Sequence, residues 1–319
     1  MRVRRTDLQT VLLDKARQLG IPVHFDKRIV AIEERDDGIE LAFSDGTRDM
    51  AQLLLGCDGI HSSVRGLYVD PQTSPEYSGI SVIYLFLPTS SLPPSTSTVT
   101  SLTGTYTRHG LFAVMPCSAS FDTIFWFFSY EVPIPSSGNN REGWEEQGRR
   151  EDDGFKAALL GFLGDIQMEW GAFLRDVIKK TETVKFFPIF RLPLGGRWSR
   201  GRCLLLGDAA HAMQPHSGQG VSMALEDAFL LLRLLEANPP SVSLSTLFEK
   251  FDGIQRPRVE KFYRYASQRV GDRKKTTPWR QWLKEVLIWA LLRLVIWTSL
   301  HKLGIGERSL LYNINEIAI

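Results

Sequence analysis

Apolar residues recur at helical spacing over residues 5–19, where Leu8, Val11, Leu12, Ala16 and Leu19 share one side of a helix. Residues 21–25 then read as a short strand. Residues 29–34 and 39–43 alternate around Asp36-Asp37-Gly38, the mark of a hairpin, and Asp45-Gly46 makes another turn before an apolar strand at 53–55. Three strand-like runs, 80–87, 106–114 and 123–130, predict an antiparallel sheet between Tyr77 and Val132. Residues 136–153 are polar and glycine-containing and predict a surface loop, partly disordered. Helices follow at 155–163 and 170–178, a strand at 186–192, an apolar strand at 202–206 and a long helix at 221–235. Pro239 and Pro240 close that helix, and helices resume near Leu244.

Within the aromatic run Phe125-Trp126-Phe127-Phe128 the expectation is core, with one face free to line a substrate cavity. Residues 256–293 carry eleven Lys or Arg against three acidic residues and run into an apolar, tryptophan-rich segment at 282–297. Arg293 interrupts that segment, so it does not read as a membrane span. Two readings remain for it: a helix packed on the protein, or a helix lying on a membrane surface.

A chain of 319 residues with 43% apolar and 23% charged residues buries a sizeable core and is neither disordered nor fibrous. A formal net charge of +2 selects no partner, and the basic stretch 269–275 has no aromatic or groove-reading companion that would suit nucleic acid. Cys57, Cys117 and Cys203 are widely spaced, which suits a reduced intracellular protein, cytoplasmic or membrane-associated. The basic start has no apolar run behind it, so a secretory leader is not expected. His61, His109, His211 and His216 match no metal-ligand spacing, and no metal is expected. A Gly-x-Ser-x-Gly nucleophile elbow is absent from the sequence, which argues against a hydrolase.

The chemistry concentrates in residues 207–220, Gly207-Asp208-Ala209-Ala210-His211-Ala212-Met213-Gln214-Pro215-His216-Ser217-Gly218-Gln219-Gly220, set between the strand at 202–206 and the helix that opens at Val221. A strand, a glycine-rich turn and a helix N-terminus together suit an anionic or electron-rich ligand. Glycines let it approach the backbone, and the first turn of the helix offers unpaired N–H groups with about half a positive charge. Asp208 is placed to accept hydrogen bonds from ligand hydroxyls. About 150 residues upstream, Leu53-Leu54-Leu55-Gly56-Cys57-Asp58-Gly59-Ile60-His61-Ser62-Ser63-Val64-Arg65 reads as a buried strand, a tight turn and a capped segment.

These two strings resemble the second flavin motif and the Asp-Gly motif of class A flavoprotein monooxygenases, the family of p-hydroxybenzoate and salicylate hydroxylases. The resemblance implies an α/β (mixed α+β) fold: a Rossmann-like FAD/NAD(P)-binding domain, an inserted antiparallel-sheet substrate domain and C-terminal helices. It places the first part of the FAD domain at residues 1–75, the substrate sheet at 76–192, the second part of the FAD domain at 193–238 and a helical region at 239–319. It also implies that Asp208 holds the ribityl chain of FAD. Pro215, Gly218, Gln219, Gly220 and Val221 would lie beside the flavin ring, Asp58, Gly59 and Arg65 would serve the pyrophosphate and NAD(P)H, and Arg5 would contact FAD from the first helix. His211 and His216 are expected as loop residues beside the flavin. Tyr106, Arg108 and Tyr130 are candidates to orient a small hydrophobic or aromatic substrate, while no catalytic acid or base is indicated. The lead-in Trp198-Ser199-Arg200-Gly201-Arg202 and Leu225-Glu226-Asp227-Ala228 are similar to fungal enzymes of secondary metabolism.

One feature of that family is missing from these residues. The sequence contains no Gly-x-Gly-x-x-Gly fingerprint. The expectation is therefore the larger part of an FAD-dependent, NAD(P)H-consuming monooxygenase, a hydroxylase or epoxidase. Two alternatives stay open: a non-catalytic remnant or interaction module of the same fold, and another flavin-dependent oxidoreductase such as a halogenase or isoprenoid reductase. The Trp-x-Trp-x-Ile pair that would favour a halogenase is absent from the sequence.

Overall fold

The computed structural model describes residues 4–92, 99–118, 120–164, 166, 169–239, 241–298 and 312–317. The chain divides into two compact units woven from separate segments. Unit 1 takes residues 1–24, 79–189 and 270–285, and unit 2 takes residues 25–78, 190–269 and 286–319.

Unit 2 starts with an antiparallel meander of β1 (Ile29–Arg35), β2 (Gly38–Phe43) and β3 (Arg48–Ala51). The first hairpin turns at Asp36-Asp37, with Arg35 paired to Gly38, as the dipeptide pattern predicts. A second sheet holds β4 (Leu54–Gly56) beside two later strands, β10 (Ser199–Arg200) and β11 (Cys203–Leu205), in the order β10-β11-β4. Strands β11 and β4 run parallel, pairing Cys203 with Leu54 and Leu205 with Gly56. Gly56 is required by packing, because a Cβ there would stand 2.6 Å from the Leu205 side chain. Helices α4 (Asp208–His211), α5 (Gly220–Ala237) and α6 (Leu244–Gln268) follow. Their apolar faces close the core with Leu204, Leu205, Met223, Leu230, Leu234 and Phe251, all buried.

Unit 1 is a five-stranded antiparallel sheet, ordered β6-β7-β8-β5-β9, with two helices on one face. Its strands are β5 (Glu76–Pro88), β6 (Thr103–Tyr106), β7 (Gly110–Pro116), β8 (Thr123–Glu131) and β9 (Lys185–Arg191). Alternation along β8 sends Trp126 and Phe128 into the core with Phe112, against α2 (Arg141–Phe162) and α3 (Glu169–Lys180). Phe125 and Phe127 go to the opposite face. The aromatic run is thus half core and half surface. Trp126 completes its burial by donating its indole N–H to Thr181 Oγ1 at 3.1 Å.

Three expectations need correction. Residues 136–153 are not a loop: most of them form the first half of α2, where the Asn140 side chain accepts the Gly143 N–H at 2.8 Å and Trp144 is buried. Arg141–Glu145 and Glu146–Arg150 pairs support its exposed side. The run at 106–114 is two strands, because Thr107 Oγ1 accepts the N–H groups of His109 and Gly110, both at 3.1 Å, and turns the chain between β6 and β7. Residues 21–25 form no strand, and Ile21, Val23 and Phe25 are exposed with no neighbouring strand among the described residues. Helix α1 (Arg5–Gln18) forms as its spacing predicts but buries none of its residues. Pro240, expected to help close α5, lies outside the described residues. The chain continues from α6 through a short 3₁₀ turn to α7 (Pro278–Trp297). Among the described residues no helix is long and apolar enough to cross a membrane.

Candidate functional site: two loops at one end of a parallel strand pair

The loops that follow β4 and β11 leave the same, C-terminal end of two hydrogen-bonded parallel strands, which is where open α/β sheets bind ligands. The Leu206 N–H donates to the Gly56 carbonyl at 3.0 Å and carries the pairing to the base of both loops.

Asp208 stands at the tip of the second loop. Leu206, Gly207, Ala209, Ala210 and His211 around it are all buried, while Asp208 is exposed, and its carboxylate has no hydrogen-bond partner among the described residues. The turn that presents it depends on Gly207, at φ 58° and ψ −138°, a conformation open to glycine; a Cβ there would also press on Ala224 at 3.1 Å. Beneath the turn lies a buried polar lock. Asp227 of α5, fully buried, accepts the Gly207 N–H at 2.7 Å, His211 Nε2–H at 2.7 Å and the Gln255 side-chain amide at 2.8 Å. The Trp198 ring covers His211 at 5.1 Å between centroids, and the Arg256 guanidinium sits 4.2 Å above Trp198. His211, expected as a loop residue, ends the short helix α4 and is a buried strut.

The rest of the loop runs through a 3₁₀ turn at Pro215–Ser217 to Gly218 and then Gln219, the N-cap of α5. No side chain caps α5, so its first N–H groups remain for a ligand or water. A Cβ at Gly59, Gly218 or Gly220 would meet nothing within 4 Å, so the backbone of both loops is bare on the side where a ligand would approach. Val221 is half exposed at the start of α5.

The first loop is used differently. Asp58 is exposed, but one of its carboxylate oxygens accepts the N–H groups of Ser63 at 2.6 Å and Val64 at 3.2 Å. It caps the helical segment that follows the turn at Gly59. Arg65 is buried, and its guanidinium donates to three carbonyls: Ala209 at 2.8 Å, Thr73 at 3.4 Å and Ile60. Burial pulls its pKa down from the usual arginine value, against the opposing pull of Asp58 and Asp70. Arg65 thus staples the first loop to the second. Burial raises the pKa of the Cys57 thiol between them, with Asp58 adding to the effect.

Nine of the ten residues singled out by sequence, Asp58, Gly59, Arg65, Asp208, Pro215, Gly218, Gln219, Gly220 and Val221, lie in unit 2. Arg5 opens α1 in unit 1, where burial pushes the Tyr84 phenol up and the Arg5 charge pulls it back. Each substrate candidate has partners within unit 1. Tyr130 belongs to the helix-covered face and its hydroxyl donates to Glu151 of α2; Tyr106 lies under Lys284; and the Arg108 carbonyl accepts the Thr276 N–H at 2.9 Å. The other face of the sheet in unit 1 carries instead an uncharged aromatic surface: Tyr84 stacks on Phe187 at 5.7 Å and Phe86 meets Phe125 at 4.9 Å. The sequence left one face of the run at Phe125 free to line a cavity, but sequence reasoning gave no site role to Asp227, Gln255, Tyr84 or Phe187. The only signal for Asp227 was its place in Glu226-Asp227-Ala228 of a helix whose other buried positions are apolar. Among the described residues no group of three or more His, Cys, Asp or Glu is placed to hold a metal ion.

The FAD binding domain family matches residues 2–151 and 193–264 of the chain. A 3-amino-4-hydroxybenzoate 2-monooxygenase of Streptomyces platensis is 30% identical over 277 residues, covering 84% of this chain and 62% of that protein. The 2-heptyl-3-hydroxy-4(1H)-quinolone synthase of Pseudomonas aeruginosa is 31% identical over 312 residues, covering 96% of this chain and 74% of the synthase. Among solved structures, Klebsiella pneumoniae HpxO complexed with FAD and uric acid superposes with a TM-score of 0.67 at 25% identity, covering 84% of this chain and 62% of the other. The present chain thus spans 62% of the length of the first of these relatives. An exposed carboxylate without a partner among the described residues, bare glycine backbone and an uncapped helix end fit the polyol and electron-rich ring of a flavin. The chain belongs to the FAD binding domain family, whose members similar to it include 3-amino-4-hydroxybenzoate 2-monooxygenases.

Proposed function

We propose that this chain carries the flavin-facing part of an FAD-dependent monooxygenase that uses NAD(P)H and places one oxygen atom of dioxygen on an electron-rich substrate, as a hydroxylase or an epoxidase. The observation that carries this reading is Asp208: an exposed carboxylate without a partner among the described residues, held at the end of β11 by a turn that four buried groups lock.

In this reading Asp208 accepts a hydroxyl of the ribityl chain, and the bare backbone at Gly218 and Gly220 admits the ring system. The uncapped N-terminus of α5 favours negative charge at its end, which is where a flavin collects charge on reduction. FAD when bound supplies the electron transfer and the oxygen activation. The protein orients it, keeps its surroundings dry and holds the Asp58 and Asp208 loops together through Arg65. Few acids or bases are asked of the protein, which suits a site with no catalytic dyad among the described residues.

The substrate in this reading is small and hydrophobic or aromatic, matched to the surface of Tyr84, Phe86, Phe125 and Phe187, and of the kind met in fungal secondary metabolism. Peripheral contact of the C-terminal helix with a membrane belongs to the same reading. So does a dinucleotide fingerprint supplied by a βαβ unit outside these 319 residues. Support for it comes from β4, which pairs only with β11 among the described residues, and from the half-exposed row Val221, Leu225, Phe229 and Leu232 along α5. The same observations favour a second reading, a remnant that keeps the fold without the cofactor.

Incubation of the purified chain with FAD, followed by gel filtration and visible absorption, separates them. Co-eluting flavin bands that weaken in Asp208→Ala support the flavin site. A colourless protein with native circular dichroism would mean that these residues alone do not hold the cofactor, and the monooxygenase reading would then belong to a longer parent chain.

A further inference from the structure

Across β9, β5 and β8, the side of the sheet in unit 1 that alternation turns away from α2 and α3 is built of aromatic rings. Phe187 stands on β9, Tyr84 and Phe86 on β5, and Phe125 and Phe127 on β8. Tyr84 lies in their midst. Its ring stacks on Phe187 at 5.7 Å and 17°, meets Phe125 at 5.4 Å and stands edge-on to Phe86 at 6.4 Å. Three neighbours thus fix the plane of the ring and the direction of its hydroxyl. Three strands spaced by about 4.8 Å make a surface about 10 Å wide, room for two fused rings.

The Tyr84 hydroxyl has no hydrogen-bond partner among the described residues. The other two tyrosines of unit 1 differ. Tyr130 donates its hydroxyl to Glu151, and Tyr106 stands on the edge strand β6, with β7 and β8 between it and β5, beneath the Lys284 ammonium at 4.0 Å. Ser129 Oγ, on the same side of β8 as Phe127, also lacks a hydrogen-bond partner but is closed off from solvent. Tyr84 is therefore the hydroxyl that a molecule lying on these rings would meet. Burial pushes its pKa up, and the pull of Arg5 in the other direction is the smaller effect. The phenol keeps its proton at neutral pH, so it donates, and the same burial disfavours a negative charge placed beside it.

We infer that Tyr84 is the specificity-determining residue of this surface, donating a hydrogen bond to an oxygen of a flat, uncharged substrate of about two fused aromatic rings that lies on Phe86, Phe125 and Phe187. The phenylalanines supply contact area without direction, since any flat apolar ring satisfies them. The hydroxyl supplies direction: an oxygen anchored on it fixes which edge of the substrate points away, and so which carbon is presented. A carboxylate in the same place would give up its water for one phenol, a poor exchange. This deepens the proposed function and rests on it only for calling the bound molecule a substrate.

The test is equilibrium dialysis of the full chain against 2-naphthol, naphthalene and 2-naphthoate, which share one ring system and differ in a single group. Wild type is expected to bind 2-naphthol about fivefold to tenfold more tightly than either of the others. In Tyr84→Phe the preference for 2-naphthol over naphthalene should fall to about one while naphthalene binds as before, which loss of a merely structural tyrosine would not produce. Phe125→Ala should weaken 2-naphthol and naphthalene together. Three results would overturn the inference: a chain with native circular dichroism that takes up no 2-naphthol, a Tyr84→Phe variant that keeps the preference, or 2-naphthoate binding more tightly than 2-naphthol. The last, if abolished by Arg5→Gln, would make the surface a site for anions. Dialysis is read without flavin, so its failure leaves the flavin site untouched, and a chain that takes up no FAD leaves the Tyr84 preference readable.

Discussion

The guanidinium of Arg65 donates to the carbonyl of Ala209 at 2.8 Å, joining two loops whose residues stand 144 positions apart. It is a buried, charge-assisted bond between the two motifs that define the site, and it turns two sequence strings into one structure. The same guanidinium also holds Ile60 and Thr73, so its removal strands several carbonyls at once.

Arg65→Ala is expected to destabilise unit 2 by about 3 kcal/mol, since buried carbonyls lose a charged donor and gain no replacement. Arg65→Lys should recover little, because one ammonium cannot span three acceptors in a fixed fork. Urea denaturation followed by circular dichroism measures both.

Asp227→Asn tests the lock beneath Gly207. Both carboxylate oxygens accept hydrogen bonds, so an amide would set its own N–H groups against a donor. A loss of about 3 kcal/mol is expected in the same assay, with His211→Ala costing less because Gly207 and Gln255 keep their acceptor. Equal stability of Asp227→Asn and wild type would show that the lock carries no weight.

Asp208→Ala should behave in the opposite way. The carboxylate has no partner among the described residues, so stability is expected to stay within about 0.5 kcal/mol of wild type. FAD affinity, measured by fluorescence quenching, is expected to fall about 10- to 100-fold through loss of a charge-assisted hydrogen bond. The contrast with Asp227→Asn separates a presented ligand group from an internal strut.

Alkaline pH provides a further test. Burial pushes the Cys203 thiol of β11 up from 9.0 to about 12, and burial together with the Glu34 hydrogen bond pushes the Tyr68 phenol up from 10.0 to about 12. Both groups keep their protons in the folded state at a pH where the unfolded chain releases them. Their stabilisation is present below pH about 9 and is lost as pH rises from there towards about 12. Urea midpoints should fall across that window, and the fall should be shallower in Tyr68→Phe.

Much of this architecture was legible along the chain, but unevenly. The meander β1–β3 follows from Asp36-Asp37-Gly38 and Asp45-Gly46, and α5 runs from Gly220 to Ala237 where its spacing placed a helix at 221–235. Helix α2 was hidden, because its first half is polar and carries Gly143 and Gly148, with Gly154 just beyond. Its signals are a single cap at Asn140 and the burial of Trp144 within unit 1, against Phe186. Residues 21–25 failed in the other direction: an apolar run has the composition of a strand, yet becomes one only where a neighbouring strand offers its edge.

The site divides along the same line. Local order determined the strand, turn and helix around Asp208, since glycine conformations, strand alternation and helical spacing act between residues close in sequence. Tertiary structure decided which polar groups face a ligand and which are consumed. Asp58 caps its own helix, Arg65 binds Ala209 and Asp227 holds Gly207, while Asp208 alone of these charged groups is left open among the described residues. The reason is physical: a buried charge must find partners, and those partners come from chain segments that no local pattern can name.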